Sequence, residues 1–280
     1  VDSVTSCRGH GLPQRKLSLN TRFPKTFLDT GVAVSASNNA MLNQVNDALA
    51  KRTPTATTSE ALALPDVLAK TAACLAIVII AAIPGWLFLA GSFMLYIGLL
   101  VATMIVGVVM MRKAPVKPAM ALGYSAMLGL IVGAFSNAAV AYGGNIALIP
   151  QAVLGTAAGT VAILAVYATP FGKKASKAGK LFFALLIGYV LVGVASAFAA
   201  IFAGTGDGWG FYGVGGLGLV LCAFGVALAS WSLLIDIGSA DRAIQADTPR
   251  YYDWTFGVSL AASIVWLYLE LLRLLSIVNR

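Results

Sequence analysis

Residues 71–111 contain no Asp, Glu, Lys or Arg, and neither do residues 118–172. A membrane-crossing helix needs about 20 consecutive apolar residues, and each of these runs is at least about twice that length. Each run therefore crosses a bilayer twice. The first is expected to turn near Gly91-Ser92 and the second near Gly143-Gly144-Asn145. Three more uncharged runs, 181–206, 208–235 and 254–269, bring the count to seven. The expected spans cover residues 70–90, 92–111, 119–141, 149–170, 181–203, 213–237 and 252–275.

The spans must be helices. Hydrocarbon offers no partner to backbone N–H and C=O groups, so each crossing segment has to satisfy its own. The strands of a barrel alternate polar and apolar residues, and runs such as Ala73–Ala82 do not. The fold class is an all-α membrane protein, a seven-transmembrane-helix bundle. Composition agrees: 59% of the residues are hydrophobic and 11% charged, against about 25% charged in a soluble domain.

The formal charge of +8 does not indicate nucleic acid, because the basic residues flank apolar runs. Their placement sets orientation instead, since cytoplasmic loops collect Lys and Arg. Lys51, Arg52 and Lys70 precede the first span, and Arg112, Lys113 and Lys117 lie between the second and third. Lys173, Lys174, Lys177 and Lys180 lie between the fourth and fifth, with Arg242 and Arg250 between the sixth and seventh. The alternate loops, near 91, 143–148 and 204–212, have no Lys or Arg. The N-terminus is therefore expected inside and the C-terminus outside, with Arg273 and Arg280 at the outer end.

Residues 1–66 read as a polar, largely disordered cytoplasmic tail, and residues 67–280 as the transmembrane domain. A short amphipathic helix is expected around Met41–Lys51. Arg8, Arg15, Lys16, Arg22 and Lys25 give residues 1–30 the look of a transit peptide; a plain solvated tail fits as well. No apolar core of a secretory signal is present.

Catalytic and metal chemistry find little to work with. The three cysteines, Cys7, Cys74 and Cys222, are scattered, and His10 is the single histidine. A metal centre, a Ser-His-Asp triad or a resident cofactor is not expected, and the spans hold too few polar residues for a membrane enzyme. The stretch Gly204-Thr205-Gly206-Asp207-Gly208 lacks the Gly-Lys-Ser/Thr of a phosphate-binding loop and reads as a turn.

The informative residues are acids near or within spans. A carboxylate at the centre of a crossing helix costs about 2.5–3.5 kcal/mol and usually faces a partner. Asp236 closes an uncharged run and is expected near the inner interface, either as a helix-end acid or as a functional group. Asp253 opens the last span, where a negative charge suits the helix dipole. Glu270 lies deep in that span, with Arg273 one turn on. Either the i, i+3 pair is neutralised locally, or Glu270 is a titratable group inside the bundle. Small residues spaced four apart, Gly129 with Gly133 and Gly155 with Gly159, and the cluster Gly213, Gly215, Gly216, Gly218, predict close helix packing.

The segment Thr248-Pro249-Arg250-Tyr251-Tyr252-Asp253-Trp254, followed by Val265-Trp266-Leu267-Tyr268-Leu269-Glu270-Leu271-Leu272-Arg273-Leu274-Leu275, resembles the last helix of the Bax inhibitor family, in particular its bacterial Bax-inhibitor-like branch. Asp66 to Thr71, Tyr124 to Ser136 and Pro150 to Leu154 are similar to that branch too. The likeness covers roughly residues 37–276. It implies a multi-pass protein of the cell (plasma or inner) membrane that leaks calcium or other cations slowly under proton control. It also implies a pair of acids on the last two helices that shares a proton. Asp236 matches the first acid. For the second, the Tyr-Leu-acid pattern gives Glu270, whereas an ungapped match of the chain ends gives Ser263. Leu128 stands where many members of the branch carry a glutamate. Besides lipid and the transported cation, the resemblance allows one further partner, another membrane protein such as a membrane-anchored protease, which the chain would regulate without catalysis.

Overall fold

The computed structural model describes residues 61–89, 93–204, 206, 210–213 and 215–279. The expectations for His10, Cys7, the helix at Met41–Lys51, the turn at Gly91-Ser92, and Thr205, Asp207, Gly208 and Arg280 lie outside these residues. Within them, seven helices are long and apolar enough to cross a membrane, and there is no β-strand. They are α1 (Leu64–Pro84, continued by a π-helical turn, Gly85–Leu89), α2 (Phe93–Arg112), α3 (Pro118–Gly143), α4 (Leu148–Tyr167), α6 (Gly179–Ala203), α7 (Gly215–Gln245) and α8 (Asp253–Val278). A short helix, α5 (Pro170–Ala175), joins α4 to α6.

The helix ends show why the chain stops where it does. Proline near the start of α1, α3 and α5 supplies a preset φ and no orphan N–H. Gly144, at φ 66°, and Gly204, at φ 60°, end α3 and α6 in the left-handed conformation that glycine adopts without strain. The expected turn at Gly143-Gly144-Asn145 is thus present, with the Ala147 N–H donating to Asn145 Oδ1 at 2.9 Å. Buried hydroxyls of Thr71, Ser125 and Thr156 donate to carbonyls four residues back in their own helices, so they bring no unmet polar group into hydrocarbon.

Two boundaries differ from expectation. The packed body reaches back before residue 67: Leu62 is buried, its N–H donates to Thr248 O at 2.8 Å, and α1 begins at Leu64. Helix α7 runs on to Gln245 rather than 237, because its polar last turns find partners. Tyr167 Oη donates to Asp241 Oδ2 at 2.6 Å, and Arg242 donates to Ser176 and Ser239.

Helix α8 is the axis of the bundle, packed by α1, α3, α4 and α7. The most apolar stretches of α3, α7 and α8 are each 44% buried, against 11% for α2 and α6. Helix α2 leans on α3, and α6 on α7 and the 3-10 turn Gly210–Gly213. Gly129 and Gly133 do what their spacing predicts: a Cβ on either would run into the α1 backbone at Val78 or Ala82. A Cβ on Gly155 or Gly159 would meet Leu271 or Leu267 of α8 only at ordinary contact distance. In the Gly213–Gly218 cluster, Gly213 and Gly218 instead make tight turn contacts, against Gly206 and Tyr212.

Candidate functional site: a cavity with two polar clusters

Between α2, α3, α6, α7 and α8 lies a cavity of about 1360 Å³. Its walls are mostly aliphatic and aromatic, and Leu128 contributes to one of them, so that wall carries no carboxylate. Its carboxylates and their hydrogen-bond partners form two clusters, both on the interface of the last two helices or beside it.

The first cluster surrounds Asp236. This residue lies more than two turns before the end of α7, not at a helix end as one reading expected. It is half-buried and lines the cavity. Ser259 Oγ donates to Asp236 Oδ1 at 2.8 Å, and Ser263 Oγ donates to Oδ2 at 2.5 Å. Ser232, one turn before Asp236 on α7, shares a 2.9 Å hydrogen bond with Ser263. Since the single Ser263 proton is given to Asp236, Ser232 is the donor of that bond. The i, i+4 pairs Ser232/Asp236 and Ser259/Ser263 therefore interlock across two antiparallel helices. Among the described residues no Lys or Arg forms an ion pair with Asp236.

The second cluster surrounds Glu270, which is only 2% exposed. Its Oε1 accepts from Tyr189 Oη at 2.9 Å and from Trp266 Nε1 at 3.0 Å. Arg273 donates to Oε1 at 3.2 Å and Oε2 at 3.0 Å, and also to Tyr189 Oη at 3.2 Å. The guanidinium stacks over Tyr212, 4.7 Å from the ring centroid, and faces Phe135 at 5.3 Å. Gly225 on α7 makes room for this cluster, since a Cβ there would meet Tyr189 Oη and Glu270 Oε2. The i, i+3 pair foreseen from sequence is present, with its charge neutralised inside the bundle.

Asp236 and Glu270 thus share a cavity but not a hydrogen bond. Ser263 and Glu270 are seven residues apart on α8, about 10 Å along the axis at 1.5 Å per residue. Of the two positions offered for the partner of Asp236, the structure pairs it with Ser263. Asp253 stands apart from the cavity. It is the first residue of α8, where its negative charge suits the helix dipole. It accepts from the Trp254 N–H at 2.6 Å, with Lys70 Nζ at 3.8 Å.

Sequence reasoning did not find Ser232, Ser259, Tyr189, Tyr212 or Trp266. The only signal was the spacing of the serines by four, and a hydroxyl at such a position can equally bond its own helix. Among the described residues no group of three or more His, Cys, Asp or Glu could hold a metal ion.

A family model described as Bax inhibitor 1 like matches residues 38–280. No curated protein and no solved structure matches the chain. About seven-eighths of the chain, including every helix among the described residues and both polar clusters, falls within the matched residues, and the chain belongs to the Bax inhibitor family.

Proposed function

We propose that the protein is a slow cation leak whose rate is set by protonation of Asp236. One observation carries this reading: a carboxylate on a crossing helix, without a counter-ion among the described residues, on the wall of a large cavity. An acid so placed is expensive to retain unless it serves a function. As a carboxylate, Asp236 accepts from two serines at once. As a carboxylic acid it must give a proton to one of its contacts, so at least one serine has to turn and the α7–α8 seam changes. A hydroxyl, that of Ser263, stands at one of the two positions the resemblance offered for the second acid, and in this reading the switch is one carboxyl read by Ser259 and Ser263.

A single negative charge with few oxygens around it holds an inorganic cation weakly, and conduction needs sites that an ion can leave. The apolar walls keep the rate low. The basic loops support a cytoplasmic N-terminus and residues 1–66 as a tail on that side, and the family supports a place in the cell membrane. Calcium and potassium flux into proteoliposomes, measured between about pH 6 and 8, tests the reading. The wild type should show a pH-dependent rate, and Asp236→Asn a rate that no longer follows pH. An Asp236→Asn protein that keeps the full pH response removes Asp236 as the control point.

A further inference from the structure

We propose that the cavity binds a monovalent organic cation with a bulky apolar body, of the quaternary ammonium or phosphonium class, with its charge on Asp236. The charge balance of the cavity comes first. Two carboxylates line it; Glu270 is cancelled by Arg273 at 3.0 Å, and Asp236 has only hydroxyl donors. With Asp236 ionised, as at the alkaline end of the flux assay, the cavity carries one uncompensated negative charge among the described residues.

The kind of cation follows from what surrounds that charge. A divalent ion such as calcium wants about six to eight oxygen ligands. Here it would find one carboxylate and a few hydroxyls, and no cluster of acids among the described residues. A small hydrated cation would also have to bring its water against walls such as Leu100, Leu128 and Leu186. A cation whose own surface is hydrocarbon meets those walls without loss, and aromatic faces such as Tyr124 and Phe183 attract it. Volume permits a bulky occupant: pockets for drug-sized molecules span about 300–1,000 Å³, and this one, about 1360 Å³, is larger still.

The structure also offers an entrance. Helix α2 is held by α3 and α6 by α7, and the described residues show no substantial packing between the two. Met94 and Met104 of α2 and Val190 and Ile201 of α6 are exposed on the bundle surface and line the cavity as well. A lipophilic cation can therefore pass from the bilayer between α2 and α6, past adaptable methionines. None of this requires ions to cross the membrane.

Tetraphenylphosphonium titrated into the purified full chain in detergent, against protein-free micelles as the blank, tests the inference. Saturable binding of one cation per chain is expected, weakened at least about tenfold by Asp236→Asn because one close charge pair is lost. Asp253→Asn, outside the cavity, should bind as the wild type does. Tetraphenylborate, alike in shape and opposite in charge, titrated separately because it pairs with the phosphonium, should not bind above the blank; this control needs no variant to fold. Phosphonium binding no greater than in the blank, equal binding by Asp236→Asn, or equal binding of the borate would each overturn the proposal. Binding without flux would sink the leak and leave this site standing, and flux without binding the reverse.

Discussion

Replacing Arg273 with methionine should be among the most destabilising single changes in the spans. Glu270 is 2% exposed and receives two of its four hydrogen bonds, and its only ion pair among the described residues, from Arg273. Removing one partner of a buried pair strands the other, at about 3–5 kcal/mol. Glu270→Gln should cost less, roughly 1.5–3 kcal/mol. Its stranded cation keeps the Tyr189 hydroxyl and the faces of Tyr212 and Phe135, and the Arg273 side chain is still 21% exposed. Removing both charges leaves no stranded ion, so the double variant should come within about 1.5 kcal/mol of the wild type, as replaced buried pairs often do. Equilibrium unfolding in mixed micelles of increasing denaturing detergent gives all three values on one scale. The expected order of loss is Arg273→Met, then Glu270→Gln, then the double variant. A double variant that costs as much as the two singles together would refute the argument, since independent sites add.

The other predictions use the same assay unless stated. Gly225→Ala drives a methyl into Tyr189 and Glu270 and should cost about 1–3 kcal/mol; adding Tyr189→Phe, which withdraws the hydroxyl, should recover part of it. Gly133→Ala should be costly because its Cβ meets the Ala82 carbonyl, whereas Gly123→Ala, with open space around it, should be neutral or slightly stabilising. Ser263→Ala takes a donor from Asp236 and should cost about 1–3 kcal/mol. In liposomes it should also shift the pH dependence of flux, and an unshifted profile would show that the serine does not read the acid. Arg250→Ala breaks a 2.8 Å pair with Asp66, but the Arg250 side chain is 50% exposed, so the loss should stay below about 1 kcal/mol.

Much of the architecture was legible because the constraint behind it is local. A stretch without charge, long enough to cross oil, must coil, and nothing elsewhere in the chain can change that. The turn at Gly144 was readable for a similar reason, since a left-handed residue asks for glycine at that spot. The end of α7 was not, because Asp241 and Arg242 stay helical through Tyr167 and Ser176, which come from distant segments. In the site, the acids stood out as rare charges in apolar surroundings. Their partners did not. Ser259 and Ser263 look in sequence like Thr71 or Ser125, which bond their own helices. Only the packing of α7 on α8 turns them outward to Asp236. Gly225 was equally silent, because its task is to leave space for a tyrosine on α6 and a glutamate on α8.

The last helix carries Ser263 and Glu270 two turns apart on nearly one face, so both clusters are keyed to a single shaft. Turning that shaft by one residue, about 100°, would swing the serines off Asp236 and drag Glu270 away from Tyr189 in the same stroke. Neither end can let go alone through such a rotation, and whatever loosens one grip loosens the other.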